Sequence, residues 1–308
     1  MQRTIWESFQ HGLGRETVRR EGDGWSYLAI VEHGQMSSRL YCPYGPVTQS
    51  DECLGPALED LRAIAKEKKL EFVRVEPFAQ DERDEDKRVK AMLDLGLVRS
   101  AKNVQPVDTA LIDVAVPPDE IVARAVQNVR NIYRKNLRQG LQFTISFDPA
   151  DLPDFLDLQR RVYTRANITS YPDSYFETMA NTIFSEQGGA GLMYAVLEGR
   201  RVASMLFLCD GDVFYYTYAA ADDAYKKMSP ATSLIMNAQM YAHERGCQLL
   251  DFYGIAPEDA APTHPWQGFT HFKLSFGAQR FHTLGTWELP VNKIRYQAYR
   301  LMMKASKH

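Results

Sequence analysis

The two halves of this 308-residue chain repeat the same order of secondary-structure signals. Each half indicates a meander of strands, a break, a helix, a buried strand and a later strand. The buried strands are Phe72–Val75 and Leu250–Tyr253, and the later strands are Leu111–Val114 and Thr286–Leu289. An internal duplication of one α/β unit therefore explains the length better than two unrelated domains do.

Composition and charge restrict the class of protein. Hydrophobic residues make up 45% and charged residues 24%, with no low-complexity tract, as in ordinary globular proteins. The formal net charge of −3 argues against a globally basic nucleic-acid-binding protein but leaves room for a local basic face. No apolar run reaches membrane-spanning length, and the first residues lack the apolar core of a signal peptide.

The cysteines are scattered and have neither CxxC nor zinc-finger spacing, so we interpret them as reduced thiols. They are Cys42, Cys53, Cys209 and Cys247. His264, His271 and His282 fall close together, but no spacing matches a zinc pair on one helix or turn. We predict a soluble, cytoplasmic protein without a metal site.

The stretch Leu249–Gly277 has the pattern of a ligand crevice. A short apolar run breaks at Gly254, and a Pro-rich loop then leads to Phe272–Gly277, which carries Lys273. A helix that feeds a buried strand, followed by such a loop, is how α/β proteins build a site at strand ends. We predict Lys273 at a strand edge beside aromatic residues. The alternative is a core strand, a surface loop and a lysine that only extends along apolar surface.

A second pattern is a basic helix predicted from Asp119 to Gln139. Arg130, Arg134 and Arg138 recur every four residues, and Arg124 and Lys135 join them on one face. Like charges four residues apart destabilise a helix, so a polyanionic partner would relieve the repulsion. The alternative is an ordinary solvated face, which is also our interpretation of the charged run Asp81–Lys90.

The order of elements resembles the acyl-CoA N-acetyltransferase (GNAT) fold. In that family a glycine-rich turn before a long helix offers bare backbone N–H groups to a pyrophosphate. The matching turns here are Tyr225–Ala231, which has no glycine, and Glu52–Pro56, which fits no better. Both coenzyme A cradles are predicted to be missing, so we expect no cofactor.

A duplicated GNAT fold without this cradle resembles the FemABX family. The matching residues run through nearly the whole chain: Trp6, Phe9 and Leu13-Gly14; Tyr41–Val47; Thr109–Asp113; Asn131–Asn136 with Gly140; Asp251–Ile255; and Phe272-Lys273 with Phe276-Gly277. The resemblance implies an α/β (α+β) fold of two tandem GNAT-like domains, each a mixed, mostly antiparallel sheet flanked by helices. It implies the short type, without the helical-hairpin arm.

The amphipathic stretch Val291–Lys307, with Ile294, Tyr299, Leu301 and Met302 apolar, is predicted to pack back on the first half. We therefore predict one domain from residues 1–141 plus 291–308 and a second from 142–290.

The resemblance also implies the activity. Family members are peptidyltransferases that add amino acids from aminoacyl-tRNA to peptidoglycan precursors. An aminoacyl ester is already activated, so positioning and electrostatics can supply most of the catalysis without an enzyme nucleophile. Phe272 and Lys273 match the pair that recognises the peptidyl-RNA in the family. We therefore predict that Lys273 binds the 3′ end of the RNA or the developing oxyanion. Asp251 and Asp113 end strands and are candidates to orient the amine, or are caps or ion-pair partners.

The remaining candidates are substrate contacts. The acceptor-stem phosphates of tRNA are assigned to Arg130, Arg134, Lys135 and Arg138. A muropeptide diphosphate needs cationic and tyrosyl donors in a crevice. The candidates for that role are Arg39, beside the loop that contains Tyr44, and Arg165, Tyr216, Tyr218 and Tyr225. Taken singly, each of these residues also fits a core or surface role.

We therefore expect a monomeric aminoacyltransferase whose co-substrates are aminoacyl-tRNA and a UDP- or lipid-linked muramyl peptide. A lipid-linked acceptor would require contact with the inner leaflet of the membrane, and this contact would be transient because no basic amphipathic anchor stands out. The alternatives are an N-acyltransferase that uses acyl-CoA or acyl carrier protein, and a non-catalytic module that binds RNA or wall precursors. The sequence leaves open the amino acid added, the third residue of the stem peptide and the general base.

Overall fold

The computed structural model of the protein describes residues 4–78, 85–166, 169–187 and 189–305. The chain forms two compact units: unit 1 (Met1–Val107 with His282–His308) and unit 2 (Asp108–Phe281). The helices are α1 (Thr4–Gly12), α2 (Leu54–Glu67), α3 (Glu85–Asp94), α4 (Pro118–Arg124), α5 (Gln127–Arg138), α6 (Leu152–Ala166), α7 (Asp173–Ile183), α8 (Pro230–Glu244), α9 (Gln267–Leu274) and α10 (Lys293–Ala305). The strands are β1 (Thr17–Gly22), β2 (Trp25–His33), β3 (Ser38–Cys42), β4 (Val47–Thr48), β5 (Phe72–Val75), β6 (Val98–Arg99), β7 (Asp108–Asp113), β8 (Gln142–Ser146), β9 (Gly189–Leu197), β10 (Arg200–Asp210), β11 (Val213–Ala221), β12 (Leu249–Gly254), β13 (Gln279–His282) and β14 (Trp287–Pro290).

Unit 1 is built on a mixed sheet with the strand order β1-β2-β3-β5-β14-β6, and β4 pairs with β2. Strands β3 and β5 pair in parallel, and β5 pairs antiparallel with β14. Side chains of β5 alternate between the two faces. Val73 and Val75 join the core cluster that contains the buried stripe of α2, whereas Phe72 contacts Tyr296 of α10 edge-on and stacks on Tyr299. The sheet of unit 1 thus has a helix on each face.

Unit 2 is built on a second mixed sheet, with the order β13-β7-β12-β11-β10-β9-β8. Strands β11 and β12 pair in parallel. The antiparallel pairs are β7 with β12, β8 with β9, β9 with β10, and β10 with β11. Helix α8 packs on this sheet through its buried apolar residues. The predicted fold class, two mixed sheets flanked by helices, is confirmed.

The later strand of each half lies in the sheet of the other half. Strand β7 pairs with β12, with Ile112 opposite Leu250, and β14 pairs with β5, with Glu288 opposite Arg74. The unit boundaries therefore fall near Val107 and His282, whereas the sequence analysis placed domain boundaries at 141/142 and 290/291. Strand pairing over a long sequence separation sets these boundaries.

The predicted helix Asp119–Gln139 is two helices. Ala125 and Val126 have extended backbone conformations (ψ 148° and 154°), which separate α4 from α5. Arg124 therefore lies on α4 and does not continue the basic face of α5.

The charged run Asp81–Lys90 was interpreted as a solvated face. Residues 81–84 lie outside the described part of the chain. Within α3, Arg88 is only 1% exposed, and its guanidinium donates to Asp51 (2.9 Å) and Thr48 (2.7 Å). That interpretation is wrong for Arg88, since it holds α3 against the turn that precedes α2. Among the described residues, no helix is both long and apolar enough to cross a bilayer.

Candidate active site

The candidate site begins where the parallel strands of unit 2 separate. Strands β11 and β12 pair from Val213 opposite Leu249 to Tyr215 opposite Asp251, and then the pairing stops although β11 continues to Ala221 and β12 to Gly254. The register between β12 and β7 also shifts between Asp251 and Gly254. Tyr253 has φ +62°, a left-handed conformation that is unfavourable for an aromatic residue. This bulge turns the last carbonyls of β12 out of the sheet.

Asp251 holds the bulge in place. Its Oδ1 accepts hydrogen bonds from the Tyr253 N–H (2.7 Å) and from the Thr109 hydroxyl. Asp251 is 9% exposed. The predicted candidate therefore lies at the site, where its contacts fix the backbone that Lys273 binds. The other predicted aspartate, Asp113, lies opposite Leu249 at the far end of β12, and its carboxylate accepts from the Ala115 N–H. Asp113 is thus separated from the site.

Lys273 lies on α9, so its predicted position at a strand edge is wrong. The short helix Gln267–Leu274 follows a Pro-rich loop and is stabilised by the Thr270 side chain, whose hydroxyl accepts from the Ala256 N–H (2.8 Å). The Lys273 ammonium donates to the carbonyl oxygens of Gly254 (2.6 Å) and Tyr253 (3.3 Å). It is therefore positioned by the bulge of β12.

The ammonium of Lys273 is largely buried, and its environment changes its acidity. Burial lowers the pKa of Lys273 to about 8, while the nearby charge of Asp251 opposes this shift. An ammonium has three donors, and the two carbonyls use two of them. The remaining donor, in a partly desolvated setting, is suited to an oxygen that gains negative charge during a reaction.

Aromatic side chains fix α9 against the sheet. Phe272 contacts Phe276 edge-on at 5.2 Å between ring centroids, Phe276 stacks on Phe252 at 5.6 Å, and Phe252 lies 5.9 Å from Tyr216. Phe272 and Tyr216 are thus brought next to the site, where they support the position of Lys273.

Sequence reasoning missed Phe269, which is 54% exposed on α9. It lies four residues before Lys273, and therefore on the same face of the helix. The spacing of the aromatic residues in Trp266–Phe272 could have indicated a helix, but this stretch was predicted as part of a loop.

Tyr218 and its neighbours form an aromatic cluster at the bulge. The Tyr218 hydroxyl lies 3.5 Å from that of Tyr175, and Tyr175 stacks on Tyr171, which is 55% exposed. Burial raises the pKa of Tyr218, and the nearby hydroxyls of Tyr175, Tyr171 and Tyr253 raise it further. Tyr218 is thus a neutral hydroxyl near Tyr253 that donates to the hydroxyl of Tyr175.

The other predicted substrate contacts in unit 2 lie near the turn before α8. Arg165 is on α6 rather than in a loop, and it pairs with Asp223 on the surface. Tyr225 is half-buried against the core of unit 2. An exposed ion pair of this kind contributes little to stability.

In unit 1, the structure separates two residues that were predicted to lie side by side. Arg39 is at the beginning of β3 and pairs with Glu32 (2.7 Å), whereas Tyr44 follows the end of β3 and stacks on Phe78 at 5.8 Å. They do not share one end of the strand, so they cannot bind one phosphate group from this unit.

The turn before α8 differs from a glycine-rich cradle in its donors. Ser229 adopts the left-handed conformation (φ +52°), and Pro230, which has no N–H, begins the helix. Buried Asn136 of α5 donates to the carbonyl oxygen of Met228 (2.9 Å) and to the Ser233 hydroxyl (2.8 Å). The turn is therefore fixed from α5, a role that the sequence analysis did not assign to Asn136. The absence of a cofactor stays a prediction.

The basic face of α5 divides into two parts. Arg130 donates to the carbonyl oxygens of Ala123 and Ala125 at the end of α4, so its role is structural. Arg134, Lys135 and Arg138 are exposed. The negative end of the α5 dipole favours these cations, and they are available to phosphates. Within the described residues, no group of three His, Cys, Asp or Glu side chains could hold a metal ion.

The sequence profile of the FemAB family matches residues 197–304. The crystal structure of FemX superposes with a TM-score of 0.86 at 18% identity, over 96% of this chain and 93% of that one. Over residues 197–304 the chain is similar to the FemAB family, and its overall fold is similar to that of FemX.

Two further structures share the fold of this protein. The structure of L-PGS from Bacillus licheniformis has a TM-score of 0.61 at 13% identity, over 96% of this chain and 95% of that one. A tandem GNAT protein from the clavulanic acid biosynthesis pathway has a TM-score of 0.53 at 14% identity, over 89% and 83%. No curated protein sequence matches. These structural similarities show the tandem fold.

Proposed function

We propose that this protein transfers an amino acid from aminoacyl-tRNA to an amine on the stem peptide of a UDP- or lipid-linked muramyl precursor. The observation that supports this most directly is the Lys273 ammonium, which is held by two β12 carbonyls and has one donor left over. The nearby charge of Asp251 favours its protonated form. Such a group stabilises an oxyanion and is not a nucleophile.

The reaction balances without further groups. The acceptor amine attacks the ester carbonyl, a C–N bond forms, and Lys273 donates to the oxyanion of the tetrahedral intermediate. The C–O bond to the ribose then breaks, and the proton lost by the amine ends on the ribose oxygen. Phe269, one helical turn before Lys273, is positioned to stack on the terminal base of the tRNA. The exposed cations of α5 would bind phosphates of the acceptor stem.

The test is incubation with a pool of charged tRNA and purified UDP-MurNAc-pentapeptide, with the product analysed by mass spectrometry. We expect a mass gain of one amino acid residue. In single-turnover reactions, Lys273→Ala should slow transfer by roughly 10²–10³-fold, as is typical when an oxyanion donor is removed. Lys226→Ala, a change of an exposed lysine in the same unit, is the matched control and should leave the rate unchanged.

Each alternative predicts a different outcome. Transfer that is undiminished in Lys273→Ala would contradict the assigned site. Binding of tRNA and precursor without any transfer by the unaltered protein would indicate a non-catalytic module. Tight coenzyme A binding in a calorimetric titration, with no dependence on tRNA, would indicate an ordinary N-acyltransferase.

A further inference from the structure

Helix α10 of unit 1 exposes apolar side chains on its outer face. Ile294, Tyr299, Leu301 and Met302 were predicted to be the apolar residues of a helix that packs back on the first half. The structure divides them, because Tyr299 is 6% exposed whereas Ile294 is 82% and Leu301 68% exposed. Tyr296 and Tyr299 pack on Phe72, so the helix is attached to unit 1 by its other side.

The exposed residues form a continuous strip. Ile294, Ala298, Leu301 and Ala305 follow one another at intervals of four, three and four residues, which places them on one face of the helix. Single exposed leucines are normal on protein surfaces, but a strip along a whole helix indicates an interaction surface.

The charges beside the strip all have one sign. The sequence of α10 contains no Asp or Glu, and Lys293, Arg295 and Arg300 flank the strip. Arg295 forms an ion pair with Glu71 at 3.6 Å, and its side chain is still 66% exposed. A helix with an apolar face and a basic border is typical of proteins that lie on anionic membrane surfaces.

A cavity of about 490 Å³ lies next to α10 in the same unit. Arg300 and Tyr299 line it from the helix, together with Arg74 and Lys102. Arg74 is 8% exposed, and its Nη2 donates to Glu288 (2.5 Å). Further around the lining, Met36 and Val104 are 47% and 44% exposed. Glu288 also lines the cavity and pairs with Arg74, so Lys102 and Arg300, with the apolar side chains at the rim, are the groups that match the phosphate and acyl parts of a phospholipid.

We propose that α10 docks unit 1 on an anionic phospholipid surface, with Ile294 and Leu301 entering the boundary between headgroups and acyl chains. A second copy of the chain is a poorer occupant. A twofold contact through this face would pack two helices together that both carry cations and have no Asp or Glu in their sequence. The docking does not depend on the reaction proposed above.

The experiment is flotation of the full chain with vesicles of phosphatidylglycerol and phosphatidylcholine, and with vesicles of phosphatidylcholine alone. We expect flotation with the first only, and weaker flotation at high salt. The double variant Ile294→Gln/Leu301→Gln should bind at least about tenfold more weakly, because two apolar side chains no longer enter the lipid. The control Leu93→Gln/Leu95→Gln, which changes two exposed leucines elsewhere in unit 1, should bind as the unaltered protein does.

The charged flank is tested separately. Lys293→Gln/Arg300→Gln should weaken binding by roughly fivefold per removed charge, whereas Lys66→Gln/Lys90→Gln, at exposed positions of α2 and α3, should change it much less. Transfer to a soluble UDP-linked acceptor should be unchanged in all four variants, which separates a failure of docking from a failure of the reaction. Equal flotation with neutral vesicles would overturn the proposal, as would unweakened binding of Ile294→Gln/Leu301→Gln. A dimer in sedimentation that this variant abolishes, without vesicle binding, would identify a second copy as the occupant.

Discussion

The parallel strand pairs of the two units, β3–β5 and β11–β12, end in different ways. In unit 1 the pairing holds to the last residues of both strands, Cys42 and Val75. In unit 2 it stops at Tyr215 and Asp251 although both strands continue. The first end is closed by the sheet itself, whereas the second exposes strand carbonyls that a side chain can bind.

The charged residue near each end also differs in its partners. Glu76, directly after β5, accepts from the hydroxyls of Tyr41 (2.8 Å) and Thr286 (2.7 Å) and from the Gln105 N–H (3.0 Å). Lys273 binds two carbonyls and keeps one donor. The same unit therefore occurs twice, once with a buried carboxylate that accepts three hydrogen bonds and once with a buried ammonium bound by two carbonyls.

The largest expected effect is a loss of stability when a buried charged residue of unit 1 is removed. Glu288 accepts hydrogen bonds from Arg74 (2.5 Å), from Ser100 (3.2 Å) and from Tyr296 (2.9 Å). Glu288→Ala would leave Arg74 buried without its carboxylate, so the free energy of unfolding should fall by roughly 3–5 kcal/mol. Glu16→Ala, which breaks an exposed pair with Lys68, should change it by about 1 kcal/mol or less. Denaturant unfolding measures both, and equal losses would contradict the structural role.

The next effect concerns the protonation of Lys273. Because the charged form acts as the donor, transfer should fall by roughly tenfold per pH unit above its pKa, which burial lowers to about 8. In Lys273→Arg this decline should disappear, since a guanidinium stays protonated. Single-turnover rates between pH 6 and about 10 measure it, and a rate that rises through this range would show that Lys273 acts as a base.

The same pKa shift affects stability. An unfolded lysine has a pKa of about 10.4, so between roughly pH 8 and 10.4 the unfolded chain binds more protons than the folded one. The free energy of unfolding should therefore rise with pH in this window relative to Lys273→Met, which lacks the titrating group. A parallel course of the two proteins would show that the pKa of Lys273 is not lowered.

A smaller effect is expected at Phe269, which has no counterpart in the closed strand end of unit 1. Phe269→Ala should raise the KM for aminoacyl-tRNA by roughly tenfold, because one stacked base is worth about 1–3 kcal/mol. The KM for the muropeptide acceptor serves as the internal control and should stay unchanged. An equal increase in both constants would indicate that the change disturbs α9 instead.

The smallest effect is expected on the surface of α5. Removing one phosphate contact lowers the slope of log K against log salt by about 0.7–0.9. Arg134→Gln and Arg138→Gln should each reduce the salt dependence of tRNA binding by this amount, whereas Arg130→Gln should act on stability. Lys66→Gln, on α2 of unit 1, is the control. An unchanged slope in Arg134→Gln would remove α5 from the tRNA surface.

Local patterns predicted much of this molecule. The buried strand β5 was predicted with its exact bounds, and β12 was recognised, because period and turn residues act over short distances. The resemblance pointed to Lys273 and Asp251, which the structure places together. What failed depends on distant contacts: the pairing of β14 with β5 joins residues such as Arg74 and Glu288, more than 200 positions apart.

The spatial neighbours of a residue also could not be predicted from the sequence. Arg39 and Tyr44 are close in the chain, yet a strand of five residues places them at opposite ends. Helix α9 is short and lies between a Pro-rich loop and Gly277, so its period could not be recognised. The two faces of α10 are both apolar, and only the packing of Tyr296 and Tyr299 shows which one is covered.

The placement of β14 has a consequence for synthesis on the ribosome. Unit 2 is continuous in the chain, so every strand of its sheet except the last residue of β13 has been translated by Phe281. Translation of unit 1 begins first, but β5 lacks its neighbour until Trp287–Pro290 has been added. The domain that the ribosome starts first is therefore the one whose sheet is completed last, and a chain that ends before residue 287 would contain every strand of unit 2 but an open edge at β5 in unit 1.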